Sequence, residues 1–168
     1  GMGEVGPYAG QKVYDYVIQG MSGLLEAQGV QDPYAMVRTI IFDKVTALTA
    51  AQAMTAALFA RERGAGGQHI ALSMLDTAVY FNWADLMWNQ SFEGEGAALA
   101  GDLADLYEVS TTRDGAIVSQ PLNGDCSAYS TEELIDLFAA NEIPVGRVNR
   151  RDDLMSDPQI QAAETLER

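Results

Sequence analysis

Apolar residues in this chain recur mostly at three- and four-residue spacing and alternate only in short stretches. In "KVYDYVIQGMSGLLEAQG", from near Lys12, the positions Val13, Tyr16, Val17, Met21, Leu24 and Leu25 share one face, which predicts a helix stopped by Gly29. "VQDPYAMVRT" breaks the period around Pro33 and reads as a loop. "DKVTALTAAQAMTAALFARER" is rich in helix formers, with Asp43 at the N-cap position, Arg61 and Arg63 in the last turn and Gly64 as the stop. In "QHIALSML" the alternation of Ile70, Leu72 and Met74 predicts a strand, and "DTAVYFNWADLMWNQSF" an aromatic-rich helix. After the Gly-rich "FEGEGAALAGD", "YEVSTTRDGAIVSQPL" predicts a hairpin turning at Asp114-Gly115. "STEELIDLFAANE" opens with a Ser130/Glu133 capping box, "IPVGRV" reads as a short strand or extended link, and "DPQIQAAETLER" as a helix with Pro158 at its first position.

These elements add up to a mixed α/β (α+β) fold: a helical first half with one short strand, then a small hairpin-plus-helix domain. The expected organisation is residues 1–93, a Gly-rich loop at 94–101, and residues 102–168. At 168 residues the chain can bury roughly 70% of the surface its unfolded form exposes.

Charge narrows the function. The chain carries 24 Asp+Glu against 10 Lys+Arg, a net −14. Nucleic acids and anionic membranes both demand clustered Lys and Arg, so neither is an expected partner. No apolar run approaches the ~20 residues of a bilayer span. "GMGEVGPY" lacks the charged and apolar regions of a signal peptide. The lone Cys126 cannot form an internal disulfide, which points to a reducing cytoplasm. With one His, His69, and no Asp/Asn-dense loop, no metal site is expected. Neither a GxxxxGK[ST] loop nor a GxGxxG turn occurs.

Asp43 is the residue that chemistry singles out. A helix start favours a negative charge and holds a side chain in place. That suits a plain cap, worth typically ~1 kcal/mol, and it equally suits a carboxylate nucleophile.

Four passages in order, "KVYDYVIQGMSG", Asp43 with "TAAQAMTAALFARERGAGGQHIALSMLD", "YEVSTTRDGAI" and "EIPVGRVNRRDDLMSDPQIQA", resemble the family III CoA-transferases and their relatives, the α-methylacyl-CoA racemases. The second passage is the most specific, joining an acid, an Ala-rich helix, an Arg/Gly/Gln turn and a Ser-Met-Leu-Asp segment. The resemblance implies transfer of coenzyme A from an acyl-CoA to a carboxylic acid. Asp43 would attack the thioester, forming a mixed anhydride and then an aspartyl-CoA thioester. It also implies that Lys12 and Tyr14 lie beside CoA and the nucleophile, that Asp15 is an acid near it, and that Met74 lines the acyl site. The structural readings of these four are a solvated lysine, a core-edge tyrosine, a helix-start acid and core packing. In the racemases the position of Tyr14 resembles a histidine used as acid/base. A phenol is a weak base near neutral pH, so transfer is expected rather than racemisation.

The resemblance covers the later part of the family pattern, without the nucleotide-type α/β half that supplies much of the CoA pocket. The segment between Leu122 and Ser130 is shorter than the family's, and Glu93 and Glu95 would repel an anionic donor. A non-catalytic remnant of the fold is therefore the alternative expectation. The family also implies an interlocked homodimer, and the aromatics Tyr80, Phe81, Trp83 and Trp88 offer apolar surface for one.

Overall fold

Gly23 breaks the first predicted helix into two. In the computed structural model, which describes residues 1–28, 34–88, 90–92, 94, 96, 101 and 103–164, α1 spans Asp15–Met21 and α2 spans Leu24–Gln28. Gly23 between them adopts φ +84°, a left-handed conformation open to glycine at little cost. Lys12 therefore precedes the helix. The predicted stop at Gly29, the loop around Pro33, and Glu93 and Glu95 lie outside the described residues.

The Ala-rich helix α3 spans Ile41–Ala60 and runs on into a wide π-type turn, Arg61–Ala65, where Gly64 at φ +94° stops it. Arg63 then folds back over Phe59, 5.6 Å from the ring centre.

The predicted strand at Ile70–Met74 does not form. Residues 66–73 pair with no strand among the described residues, and Met74 is the first residue of α4, which spans Met74–Leu86. Alternation gave the segment a strand-like pattern, but a strand exists only when a neighbour completes its ladder. The helix starts instead at Ser73, whose Oγ accepts from the Asp76 N–H at 2.9 Å and donates to the Asp76 carboxylate at 2.6 Å.

Contacts divide the chain into two compact units, Gly1–Gly101 and Asp102–Arg168. In the first, α1 to α4 close around Met2, Ile18, Leu24, Phe42 and Ala78, with Val13, Val37 and Met74 packed against them. Ile18 and Phe42 are fully buried.

In the second unit, β1 (Glu108–Thr111), β2 (Ala116–Ser119) and β3 (Val145–Arg147) form an antiparallel sheet in that order. The register pairs Thr111 with Ala116, so the hairpin turns through Thr112–Gly115. α5 spans Thr131–Ala140 behind the expected capping box: Ser130 Oγ accepts from the Glu133 N–H, and the Glu133 carboxylate accepts from the Ser130 N–H. Ile117, Cys126 and Leu134 make the core. Asp114 ties the turn to the helix, accepting from the Thr131 N–H at 2.7 Å and its hydroxyl at 2.9 Å. α6, Pro158–Ala162, starts at Asp157, which accepts from the Gln159 and Ile160 amides.

Candidate active site

One turn of α1 carries two buried polar side chains. Asp15 and Gln19 are four residues apart, hence on one helical face, and only 3% and 1% exposed. Buried polar groups require partners, and Gln19 finds them in the segment that leads into α3 and Asp15 in Gln19 and the first turn of α3. The Gln19 amide oxygen accepts from the Val37 N–H at 3.1 Å. Its NH2 group is shared among the Val37 and Thr39 carbonyls and Asp15 Oδ2. The other Asp15 oxygen accepts from the Phe42 N–H at 2.6 Å.

This arrangement corrects the expected position of Asp43. The residue is not the N-cap of α3. That position belongs to Ile40, which has no side chain able to cap, and Asp43 stands inside the first turn. The helix begins early because Phe42 must enter the core. Asp15, 27 residues upstream, supplies the capping acceptor in place of a local acid. Asp43 is therefore released from capping. Its carboxylate is exposed and makes no hydrogen bond or ion pair with a described residue, while the positive end of a 20-residue helix lies beneath it.

Asp43 lines a cleft of about 460 Å³ together with Tyr14, Asp15, Met36 and Arg38. Three of the expected site residues, Tyr14, Asp15 and Asp43, thus share one surface. Tyr14 is 69% exposed, with its ring stacked on Tyr16 at 6.1 Å. Asp15 borders the cleft with both oxygens occupied, one accepting from the Gln19 amide and one from the Phe42 N–H, which ties the start of α3 to α1. Lys12 is exposed and Met74 is packed against the core cluster, and neither lines the cleft. His69 is exposed on the extended segment before α4. No group of three His, Cys, Asp or Glu suited to a metal occurs among the described residues.

Two residues of this surface escaped the sequence reading. Gln19 carried a signal, its four-residue spacing from Asp15 on a helical face. Arg38 carried none beyond being the only cation between Lys12 and Lys44.

A sequence model of CoA-transferase family III matches residues 1–128. The succinate–glutarate CoA-transferase of Agrobacterium fabrum is 26% identical, across 96% of this chain and 51% of its own length. The acetyl-CoA:oxalate CoA-transferase of Acetobacter aceti is 33% identical over 61% of this chain and 26% of its own. In fold, the chain is similar to a CAIB/BAIF family protein from Brucella suis (TM-score 0.77, 22% identity, 96% of this chain and 54% of that one). It is also similar to Rv3272 from Mycobacterium tuberculosis (TM-score 0.75, 17% identity, the same coverage). The chain spans about half the length of the relatives it matches.

Proposed function

The chain belongs to CoA-transferase family III, and from that premise we propose that it moves coenzyme A between an acyl-CoA and a carboxylic acid through Asp43. The observation that carries this reading is the exposed carboxylate of Asp43, without a partner among the described residues, at the first turn of α3 beside a cleft of substrate size. A carboxylate held as a hydrogen-bond acceptor would be a poor nucleophile; Asp43 is excused from that duty by Asp15.

The chemistry needs no external base. One Asp43 oxygen attacks the thioester carbonyl and CoA leaves as its thiolate, giving a mixed anhydride. The thiolate attacks the aspartyl carbonyl, the donor acid leaves as carboxylate, and an aspartyl-CoA thioester remains. The acceptor carboxylate attacks that carbonyl and expels the thiolate again. The thiolate then takes the acceptor's acyl carbon and Asp43 is regenerated. Each tetrahedral step builds charge on a carbonyl oxygen, and the exposed Tyr14 hydroxyl is the donor we assign to it. Lys12, two residues before Tyr14 and without a partner among the described residues, is the cation we assign to a CoA phosphate. A phenol at position 14 also disfavours racemisation, which requires a second proton-transfer group. Both named relatives act on small dicarboxylic acids by their names, and we take the acceptor to be of that class. The lone, buried thiol of Cys126 suits a reducing compartment such as the cytoplasm.

A second reading, a domain inactive without further CoA-binding structure, is favoured by one feature. A cleft of about 900 Å³ runs along α4, and Tyr80, Phe81 and Trp83 on it are each more than half exposed. Apolar surface of this extent is ordinarily covered, here by the rest of the transferase pattern or by a second copy in a homodimer.

Incubation with succinyl-CoA and hydroxylamine, followed by mass spectrometry of the peptide holding Asp43, separates the readings. A hydroxamate at Asp43 is expected. No adduct, with or without an added family N-terminal half, would reject the catalytic reading.

A further inference from the structure

Arg38 lines the same cleft as Asp43, yet the two form no ion pair. Arg61, Arg113 and Arg147 each pair with a glutamate, whereas Arg38 is exposed and has neither an acid nor a hydrogen-bond partner among the described residues. The residues on either side of it are fixed. Gln19 binds the Val37 N–H and the Val37 and Thr39 carbonyls, so the backbone at Arg38 is held against α1, which also caps the helix bearing Asp43. A cation and a nucleophilic carboxylate therefore stand on one preorganised wall, with Met36 and Tyr14 as the apolar and phenolic surface beside them.

We propose that Arg38 is the specificity residue of this cleft, holding the far carboxylate of a short dicarboxylic acid while the near carboxyl group reacts at Asp43. The proposal rests on the reading of Asp43 given above. A guanidinium matches a carboxylate with two parallel hydrogen bonds. A monocarboxylic acid whose single carboxyl group stands at Asp43 has none left for Arg38, so Arg38 discriminates by what the substrate carries at its remote end. The other anion that could claim it is a phosphate of CoA, and the experiment separates the two.

The amide signals of residues 36–43 are followed by nuclear magnetic resonance while the 168-residue chain is titrated with glutarate, butyrate or free CoA. Glutarate is expected to bind about tenfold more tightly than butyrate, the size of one exposed charge-assisted contact. Arg38→Met removes that preference, Arg38→Lys restores part of it, and CoA affinity is unchanged in both. Because the Arg38 side chain bonds to no described residue, both variants are expected to keep the parent's circular dichroism and melting temperature. Equal affinity for the two acids, absence of glutarate binding, or a loss confined to CoA overturns the assignment. Trapping at Asp43 is scored separately. Trapping with no diacid preference sinks the role of Arg38 alone, and a diacid preference with no trapping sinks the transfer reaction alone.

Discussion

In the proposed mechanism Asp43 and Asp15 divide between them two duties that one residue could combine, nucleophilic attack and capping. Asp43→Asn keeps the size and removes the nucleophile, so transfer is expected to fall by at least about a thousandfold and the hydroxamate to vanish. Its unfolding midpoint should stay near the parent's, since Asp43 bonds to nothing described. Asp15→Ala has the opposite profile. It leaves the Phe42 N–H unpaired in the core and is expected to cost about 1–3 kcal/mol, read as a lower urea midpoint. At this scale the sequence was partly legible. Asp43 stands out in one recognisable passage and Tyr14 and Asp15 in another, and the fold brings all three to one cleft. What could not be read was that Asp15 caps a helix 27 positions away, because a cap reaching across the core leaves no local pattern. Met74 reads as the end of a strand, yet it opens α4 after Ser73 and packs, partly buried, against the core cluster.

Among the elements, those whose signals are local were the readable ones. The capping box of α5, the Asp114-Gly115 turn and the Asp157-Pro158 start all appear where the sequence puts them. The strand at Ile70–Met74 failed because its ladder depends on a partner that no local window contains. The break at Gly23 was missed because the apolar period runs straight across it. Gly23→Ala tests that break: a side chain there must take φ +84° and would meet Leu86 Cδ1 at 3.4 Å, so a cost of about 1–2 kcal/mol is expected in urea unfolding. The second unit holds a set of acid-sensitive carboxylates. Backbone hydrogen bonds from Thr131, Ser130 and Ile160 hold Asp114, Glu133 and Asp157, in that order, below the usual carboxylate range. A lowered folded value means that the stabilisation is present above the ordinary carboxylate pKa, about 4, and lost as pH falls through the folded one. Protection of the Ile117 amide, corrected for its intrinsic exchange rate, should therefore fall below about pH 4. Asp114→Asn should lower protection at pH 7, with its difference from the parent shrinking as the solution is acidified.

For the whole molecule, the decisive feature is surface left uncovered. Trp83 and Trp88, the only two tryptophans, are 54% and 51% exposed, and Tyr80 is 86% exposed. The chain alone is expected to show red-shifted tryptophan emission and to bind a hydrophobic dye. Tyr80→Ser with Trp83→Ser should abolish most of the dye signal while leaving the unfolding free energy within about 0.5 kcal/mol of the parent. Dye binding that survives both changes would place the sticky surface elsewhere. Composition alone announced none of this, since an apolar fraction of 48% is ordinary and says nothing of which faces remain open. No helix among the described residues is long and apolar enough to cross a membrane.

The hydrogen bond from Phe42 to Asp15 has a last consequence, for how the chain tolerates drift. With the helix start secured from another segment, position 43 is nearly idle in the folding equilibrium; only a first-turn dipole interaction of about 0.5 kcal/mol is left there. A saturation library selected for folding alone should accept almost any residue at 43 and very few at 15. A second selection, for growth that depends on the reaction, would then reveal purely chemical constraint at 43, unmixed with structural constraint, and so tell a working enzyme from a scaffold that has outlived its catalysis.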